Sequence, residues 1–188
     1  MESKENTLKS SFVSGDILLF KEIITKETCE KIIDSYSKKL FEMDMSNNEY
    51  FKNNEYRPEI SFLEMRSEIS NILHGKCKAI LNEMASLYGN VGIIGNSPFR
   101  YNEYKEGRGY RKHIDRSNKA AHLKDREISV IFGLNDDYEG GHLLFHRQEV
   151  KITLGHGDVI VFPSGYTHPH EVTPVTKGTR KTIVTWLS

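Results

Sequence analysis

The spacing of apolar positions changes character near residue 95. Before that point apolar residues recur at three- and four-residue intervals, the repeat that puts side chains on one face of a helix. In "TKETCEKIIDSYSKKLFEM", residues 25–43, Cys29, Ile32, Ile33, Tyr36, Leu40 and Phe41 follow that repeat, and Thr25 stands where an N-cap would accept a backbone hydrogen bond. A second amphipathic helix is expected from about Ser61 to Tyr88, with Ile69, Ile72, Leu73, Cys77, Ile80, Leu81, Met84 and Leu87 on one face and Gly89-Asn90 as its stop. Ahead of the first helix, "GDILLFKEII" is a short apolar run behind a Gly-Asp turn and predicts a strand. The Asn- and charge-rich residues 43–59 read as a loop.

Beyond residue 95 the apolar positions come in short runs separated by Gly, Asp, Asn and Pro: FRYNEYK, EISVIFGLN, GHLLFH, EVKITL, DVIVFP, HEVTPV and KTIVTWLS. Helices first and strands later predict an α+β fold, with helices buttressing an antiparallel sheet of a barrel or jelly roll. The expected organisation is a single domain over residues 1–188, with helical support at about 22–90 and a barrel core at about 95–188.

Composition narrows the function classes. Lys plus Arg and Asp plus Glu number 26 each, so no net basic field draws in nucleic acid, and a protein, peptide or small-molecule partner is expected instead. No window reaches the roughly 18 apolar residues of a spanning helix, and "MESKENTLKS" lacks an apolar signal region, so a cytoplasmic monomer with no membrane partner is the expectation. Cys29 and Cys77 sit at apolar helical positions without CxxC spacing and read as buried thiols.

Three stretches could carry chemistry. In "GYRKHIDRS", His113 and Asp115 stand two residues apart at the end of a predicted strand, where alternation would aim both side chains the same way. With one more imidazole they would complete a two-histidine, one-carboxylate metal site. A surface His–Asp hydrogen bond fits the same tripeptide. "YEGGHLLF" brings Gly140-Gly141 into a strand, a pair that a simple turn would also explain. "THPHEVTPVTKGTR" then offers His168, His170 and Arg180, and a buried guanidinium beyond a metal ligand can grip a carboxylate through two parallel hydrogen bonds.

Taken in order, Tyr104-x-x-Gly107-x-x-Tyr110-x-x-His113-x-Asp115, Gly140-Gly141-x-Leu143-x-Phe145, Gly157-Asp158 leading to Phe162-Pro163-Ser164, His170-Glu171-Val172-x-Pro174-Val175-Thr176-x-Gly178-x-Arg180 and Trp186 resemble the prolyl 4-hydroxylase-type Fe(II)/2-oxoglutarate-dependent dioxygenases. The resemblance covers about residues 99–188. It implies a double-stranded β-helix (jelly roll) in which His113, Asp115 and His170 hold Fe(II), the catalytic centre. It further implies that Arg180 binds the distal carboxylate of 2-oxoglutarate, with Tyr104 lining that pocket. Trp186 would stand near the substrate, with Arg116 beside it. The implied reaction consumes O2 and 2-oxoglutarate, with ascorbate as an optional accessory, and hydroxylates a prolyl residue while releasing succinate and CO2.

Rival readings remain beside it. "GDVIVFPSGYTH" also fits a cupin spacing that would make His168 the ligand, but Asp115 and the interval from His170 to Arg180 favour the dioxygenase pattern. His168 is then a hydrogen-bonding support to the ligands, a substrate contact or, the favoured expectation, an exposed imidazole, and His74, His122, His142, His146 and His156 are expected as solvated residues. The basic residues Lys105, Arg108, Arg111, Lys112, Arg116, Lys119, Lys124 and Arg126 crowd the presumed mouth, as a solvated face or as an attractor of anions, and residues 116–126 are a candidate lid. A free amino acid or other small molecule is the alternative substrate, and a non-catalytic cupin-like binding barrel the alternative from another class.

Overall fold

The computed structural model describes residues 10–42, 57–89, 92, 93, 95–117 and 125–188. The expected loop at 43–59 lies mostly outside these residues. So do Asn90, Lys119, His122, Lys124 and most of the candidate lid.

In chain order the elements are β1 (Ser10–Ser14), β2 (Ile17–Phe20), α1 (Lys26–Tyr36), β3 (Phe41–Glu42), β4 (Glu59–Phe62), α2 (Glu68–Tyr88), β5 (Arg100–Tyr104), β6 (Tyr110–His113), β7 (Ile128–Gly133), β8 (Glu139–Gly140), β9 (Leu143–Phe145), β10 (Val150–Ile152), β11 (Val159–Pro163), β12 (His170–Val172), β13 (Val175–Lys177) and β14 (Arg180–Leu187). They form an eight-stranded sheet in the order β1-β2-β11-β7-β14-β5-β4-β3, a four-stranded sheet in the order β10-β9-β12-β6, and a two-stranded pair β13-β8. Named strands pair antiparallel throughout.

Strand alternation explains why the central runs are apolar without a break. Successive side chains leave opposite faces of a sheet, so a strand covered on both sides needs apolar residues at every position. Val130, Phe132, Val159, Val161 and Ile183 enter one buried cluster together with Ile32 of α1 and Leu73, Cys77 and Ile80 of α2. Their neighbours Ile131, Ile160, Phe162, Val184 and Trp186 enter a second cluster with Leu143, Phe145 and Val172 of the four-stranded sheet. The large sheet is thus sandwiched, with helices on one face and the small sheet on the other, the arrangement of a double-stranded β-helix. Each fully buried Ile, Val or Phe contributes roughly 1.5–3 kcal/mol to holding these layers together.

Thr25 caps α1 as expected, its side chain accepting from the Thr28 N–H at 3.2 Å. The helix stops at Tyr36 rather than running on through Phe41, because Phe41 pairs with Ile60 in the sheet. The second helix starts at Glu68, capped by Ser67, and not near Ser61. Ser61 lies opposite Tyr101 in β4, and that long-range pairing takes the backbone that a longer helix would need. The sheet also recruits β1 and β2, since β2 pairs with β11, so strands precede as well as follow the helices. Cys29 and Cys77 are buried free thiols. Among the described residues no helix is long and apolar enough to cross a membrane.

Candidate metal centre

His113 ends β6 and His170 begins β12, and the two are direct cross-strand partners. Asp115 lies beyond the end of β6, so strand alternation is not what aims it. Its backbone N–H donates to the Ser164 carbonyl at 3.1 Å and the Arg116 N–H donates to the same oxygen at 2.9 Å, which turns the chain and brings the carboxylate under the histidines. The His113 Nε2 stands 3.3 Å from Asp115 Oδ1 and the His170 Nε2 3.8 Å from Asp115 Oδ2. Ligand atoms of all three lie within 4.8 Å of one another.

The surrounding bonds set these groups up as ligands. His113 Nδ1 lies 2.7 Å from the Arg111 carbonyl and His170 Nδ1 3.0 Å from the His168 carbonyl. A carbonyl only accepts, so each Nδ1 carries the hydrogen and each Nε2 offers its lone pair to the shared space. Burial, reinforced by the neighbouring His113, pushes the His170 imidazole down to about 4, which keeps it in the neutral, ligating form. Burial alone would raise the Asp115 carboxyl. His170, His113 and the Ser129 hydroxyl outweigh it and hold the group well below the usual carboxylate range. Ser129 donates to Asp115 Oδ2 at 2.6 Å, and its only hydrogen being so committed, the Ser164 hydroxyl donates in turn to Ser129 at 2.7 Å. Two imidazoles that turn their Nε2 atoms inward and one ionised carboxylate on a shared space suit a divalent transition metal with open positions. At 23% side-chain exposure His113 is the outer ligand, against 8% for Asp115 and 3% for His170, so the centre opens on the His113 side.

Arg180 starts β14 directly opposite Tyr104 of β5, and its guanidinium lies 5.0 Å from the Tyr104 ring centroid. It is only 1% exposed and its Nε has no hydrogen-bond acceptor. Burial raises the Tyr104 phenol, against the pull of the neighbouring Arg180 guanidinium. Along the same inner face the next pair is Asn102 and Thr182, both fully buried, whose amide and hydroxyl also lack partners. Arg180, Asn102 and Thr182 thus leave unsatisfied polar atoms along one buried face of β5 and β14, a lining that suits a polar, anionic ligand.

The Gly140-Gly141 pair does more than turn the chain. A Cβ on Gly141, at φ +57°, would meet the Arg180 Cδ at 2.8 Å, and one on Gly140 would meet the Pro174 carbonyl oxygen at 2.4 Å. The missing side chains are what let Arg180 lie down beside β8.

The mouth is less basic than the sequence suggests. Lys105 pairs with Glu59 at 2.7 Å, and Arg116, the expected substrate contact, pairs with Glu127 at 2.7 Å in solvent. Trp186 is buried with the Arg126 guanidinium over its ring. His168 is not exposed as expected: at 3% exposure it packs beside Phe145 and Phe162, which bury the loop that returns into β12. Among the described residues it joins no three-ligand group, and its contribution to the centre is its carbonyl oxygen. His142, His146 and His156 are half-buried and paired with Thr153, Glu171 and Asp136, while His74 is exposed against Phe99. Sequence reading missed Ser129, Ser164, Asn102 and Thr182. Of these only Ser164 stood in a quoted motif.

Residues 99–188 match the sequence model of the 2OG-Fe(II) oxygenase superfamily. A PKHD-type hydroxylase of Colwellia psychrerythraea is 37% identical over 126 residues, 64% of this chain and 56% of that protein. The chain spans about half the length of the curated relatives it matches. In fold it is similar to the viral collagen prolyl hydroxylase of Paramecium Bursaria Chlorella virus-1, with a TM-score of 0.72, 17% identity and coverage of 92% of this chain and 95% of that one. It is also similar to a prolyl hydroxylase of Trichoplax adhaerens in complex with a hypoxia inducible factor oxygen degradation domain peptide fragment, with a TM-score of 0.73, 20% identity and coverage of 92% and 83%.

Proposed function

We propose that this protein is an Fe(II)- and 2-oxoglutarate-dependent hydroxylase acting on a prolyl residue of a protein or peptide, a reading supported by the match of residues 99–188 to the sequence model of the 2OG-Fe(II) oxygenase superfamily. The observation that carries the reading is the convergence of the His113, Asp115 and His170 ligand atoms within 4.8 Å of one another, in a barrel that also buries the Arg180 guanidinium. Fe(II) at these residues would supply O2 activation, with 2-oxoglutarate as the co-reductant released as succinate and CO2.

The chain's own residues do the rest by positioning and exclusion. Arg180 receives the distal carboxylate through its guanidinium fork, Asn102 and Thr182 offer their unsatisfied polar atoms to the same ligand, and Tyr104 packs against the arginine. Ser129 and the two carbonyls at Arg111 and His168 keep the ligands in one protonation state and one orientation. The apolar layer of Phe145, Phe162 and Val172 keeps bulk water away from the inner side of the centre. The prolyl assignment draws support from the hydroxylase names of the similar proteins, and the free amino acid remains the second reading, favoured by the unpaired cations beside Trp186.

Anaerobic addition of Fe(II) and 2-oxoglutarate should produce a weak visible metal-to-ligand band, which His113→Ala and His170→Ala should each abolish. A band that survives in both variants would show the ligand assignment to be wrong. Peptides incubated with the aerobic enzyme should gain about sixteen daltons, one oxygen atom, only when 2-oxoglutarate is present. Iron binding without any such gain or succinate release would favour the non-catalytic barrel.

A further inference from the structure

Two guanidinium groups stand over the ring of Trp186, the chain's single tryptophan: Arg126 at 3.4 Å and Arg100 at 5.0 Å from the centroid. Arg126 also donates to the Asp115 carbonyl at 3.3 Å, which places the group beside the metal ligands. Arg100 lies on β5 on the same face as Asn102 and Tyr104, at the opposite end from the Arg180 pairing. Four residues of strand separate Arg100 from Tyr104, about 13 Å at the usual rise. That is too far for one five-carbon diacid gripped by Arg180 to serve both ends.

Among the described residues neither Arg100 nor Arg126 forms an ion pair. Glu127 is engaged by Arg116 and Glu59 by Lys105, and Glu103, on the opposite face of β5, accepts from the Tyr101 hydroxyl at 2.6 Å. The Nε of Arg100, the Nε of Arg126 and the Nε1 of Trp186 are all buried with no acceptor. Unmated donors and like charges at close range are costly unless something binds there.

We propose that Arg100 and Arg126, over the Trp186 ring, form a carboxylate-binding subsite for the molecule to be hydroxylated, so that the substrate carries a carboxylate close to the carbon that reacts. Two guanidinium groups within 5.0 Å of one ring centroid, each with a buried Nε that has no acceptor, can share the two oxygens of one carboxylate. A phosphate would bring a further negative charge toward Asp115 and fits less well. The carboxylate can be the terminus of a free or C-terminal residue, or the side chain of an acidic neighbour in a peptide. The word substrate here rests on the hydroxylase reading; the anion site itself does not.

Trp186 emission reads the subsite without turnover. The protein, held anaerobic with Fe(II) and saturating 2-oxoglutarate at constant ionic strength, is titrated with N-acetylproline, N-acetylprolinamide and N-acetylaspartylprolinamide. At least one of the two acids should change the emission saturably, with a Kd about tenfold or more below that of N-acetylprolinamide, the scale of one charge-assisted contact. Whichever acid binds tighter identifies the source of the carboxylate. Arg100→Gln should reduce the preference to about threefold or less, and Arg100→Lys, which keeps the charge but not the fork, should restore part of it. Equal binding of the acids and the neutral amide, no emission change with any probe, or a preference that Arg100→Gln leaves intact would each overturn the subsite. Absence of hydroxylation with the preference intact would overturn the hydroxylase reading alone.

Discussion

Arg180 and the Arg100–Arg126 pair occupy opposite ends of the face that β5 and β14 turn toward the small sheet, and their surroundings differ. Arg180 is fixed on every side, by the Tyr104 ring, by the space that Gly141 leaves open and by its place in the strand register. A socket of this kind selects for the length of a ligand as well as its charge, because nothing around it can give. At the other end two guanidinium groups lean on one indole near the exposed rim. That arrangement selects for charge and leaves length open. Under the proposed function the first would take the invariant cosubstrate and the second the variable substrate.

Removing the closed end should have the largest effect. Arg180→Ala should weaken 2-oxoglutarate binding about 100-fold by calorimetry, since it deletes a buried bidentate partner worth roughly 3 kcal/mol. Unchanged affinity would shift the socket elsewhere. Gly141→Ala comes next, because its Cβ would press on the Arg180 Cδ at 2.8 Å. About tenfold weaker cosubstrate binding and a loss of about 1–3 kcal/mol in stability are expected. Gly107, at φ +77° with nothing within 4 Å of an added Cβ, supplies the contrast: Gly107→Ala should show the backbone strain and keep the affinity. Equal weakening in both variants would mean that Gly141 does not size the socket.

Between the two ends, Ser129→Ala removes the hydroxyl that holds Asp115 and should lower Fe(II) affinity about tenfold in a competition assay, the usual scale for a group that orients a ligand. The smallest change is expected at the rim. Arg116 and Glu127 are 47% and 50% exposed in their side chains, so Arg116→Gln should move the melting temperature by no more than a few degrees, at most about 1 kcal/mol. A larger loss would show that the open end is more rigid than its exposure suggests.

How far the chain could be read in advance depended on whether its signals were local. The Thr25 cap, the strand runs from Phe99 onward, and the triad, Arg180 and Tyr104 all stood in short spacings, and the fold brings those site residues together. What failed was decided by distant partners. Phe41 and Ser61 carry helix-compatible spacing, but Ile60 and Tyr101 draw them into the sheet. His168 sits in a polar, turn-like stretch, and only the arrival of Phe145 from another strand buries it. Ser129, Asn102 and Thr182 could not be singled out because a hydroxyl or amide on a strand looks alike whether it faces water or a metal ligand. Asp115 was found for a reason only half right, since a turn pinned to Ser164 and not the alternation of β6 aims it.

The pairing of His113 with His170 across β6 and β12 has one more consequence. A slip of β12 by a single residue would send the His170 ring to the opposite side of the small sheet and leave Glu171 in its place. The register of β12 against β6 therefore decides which donor set faces the shared space, two imidazoles and a carboxylate in the observed pairing, one imidazole and two carboxylates one step away.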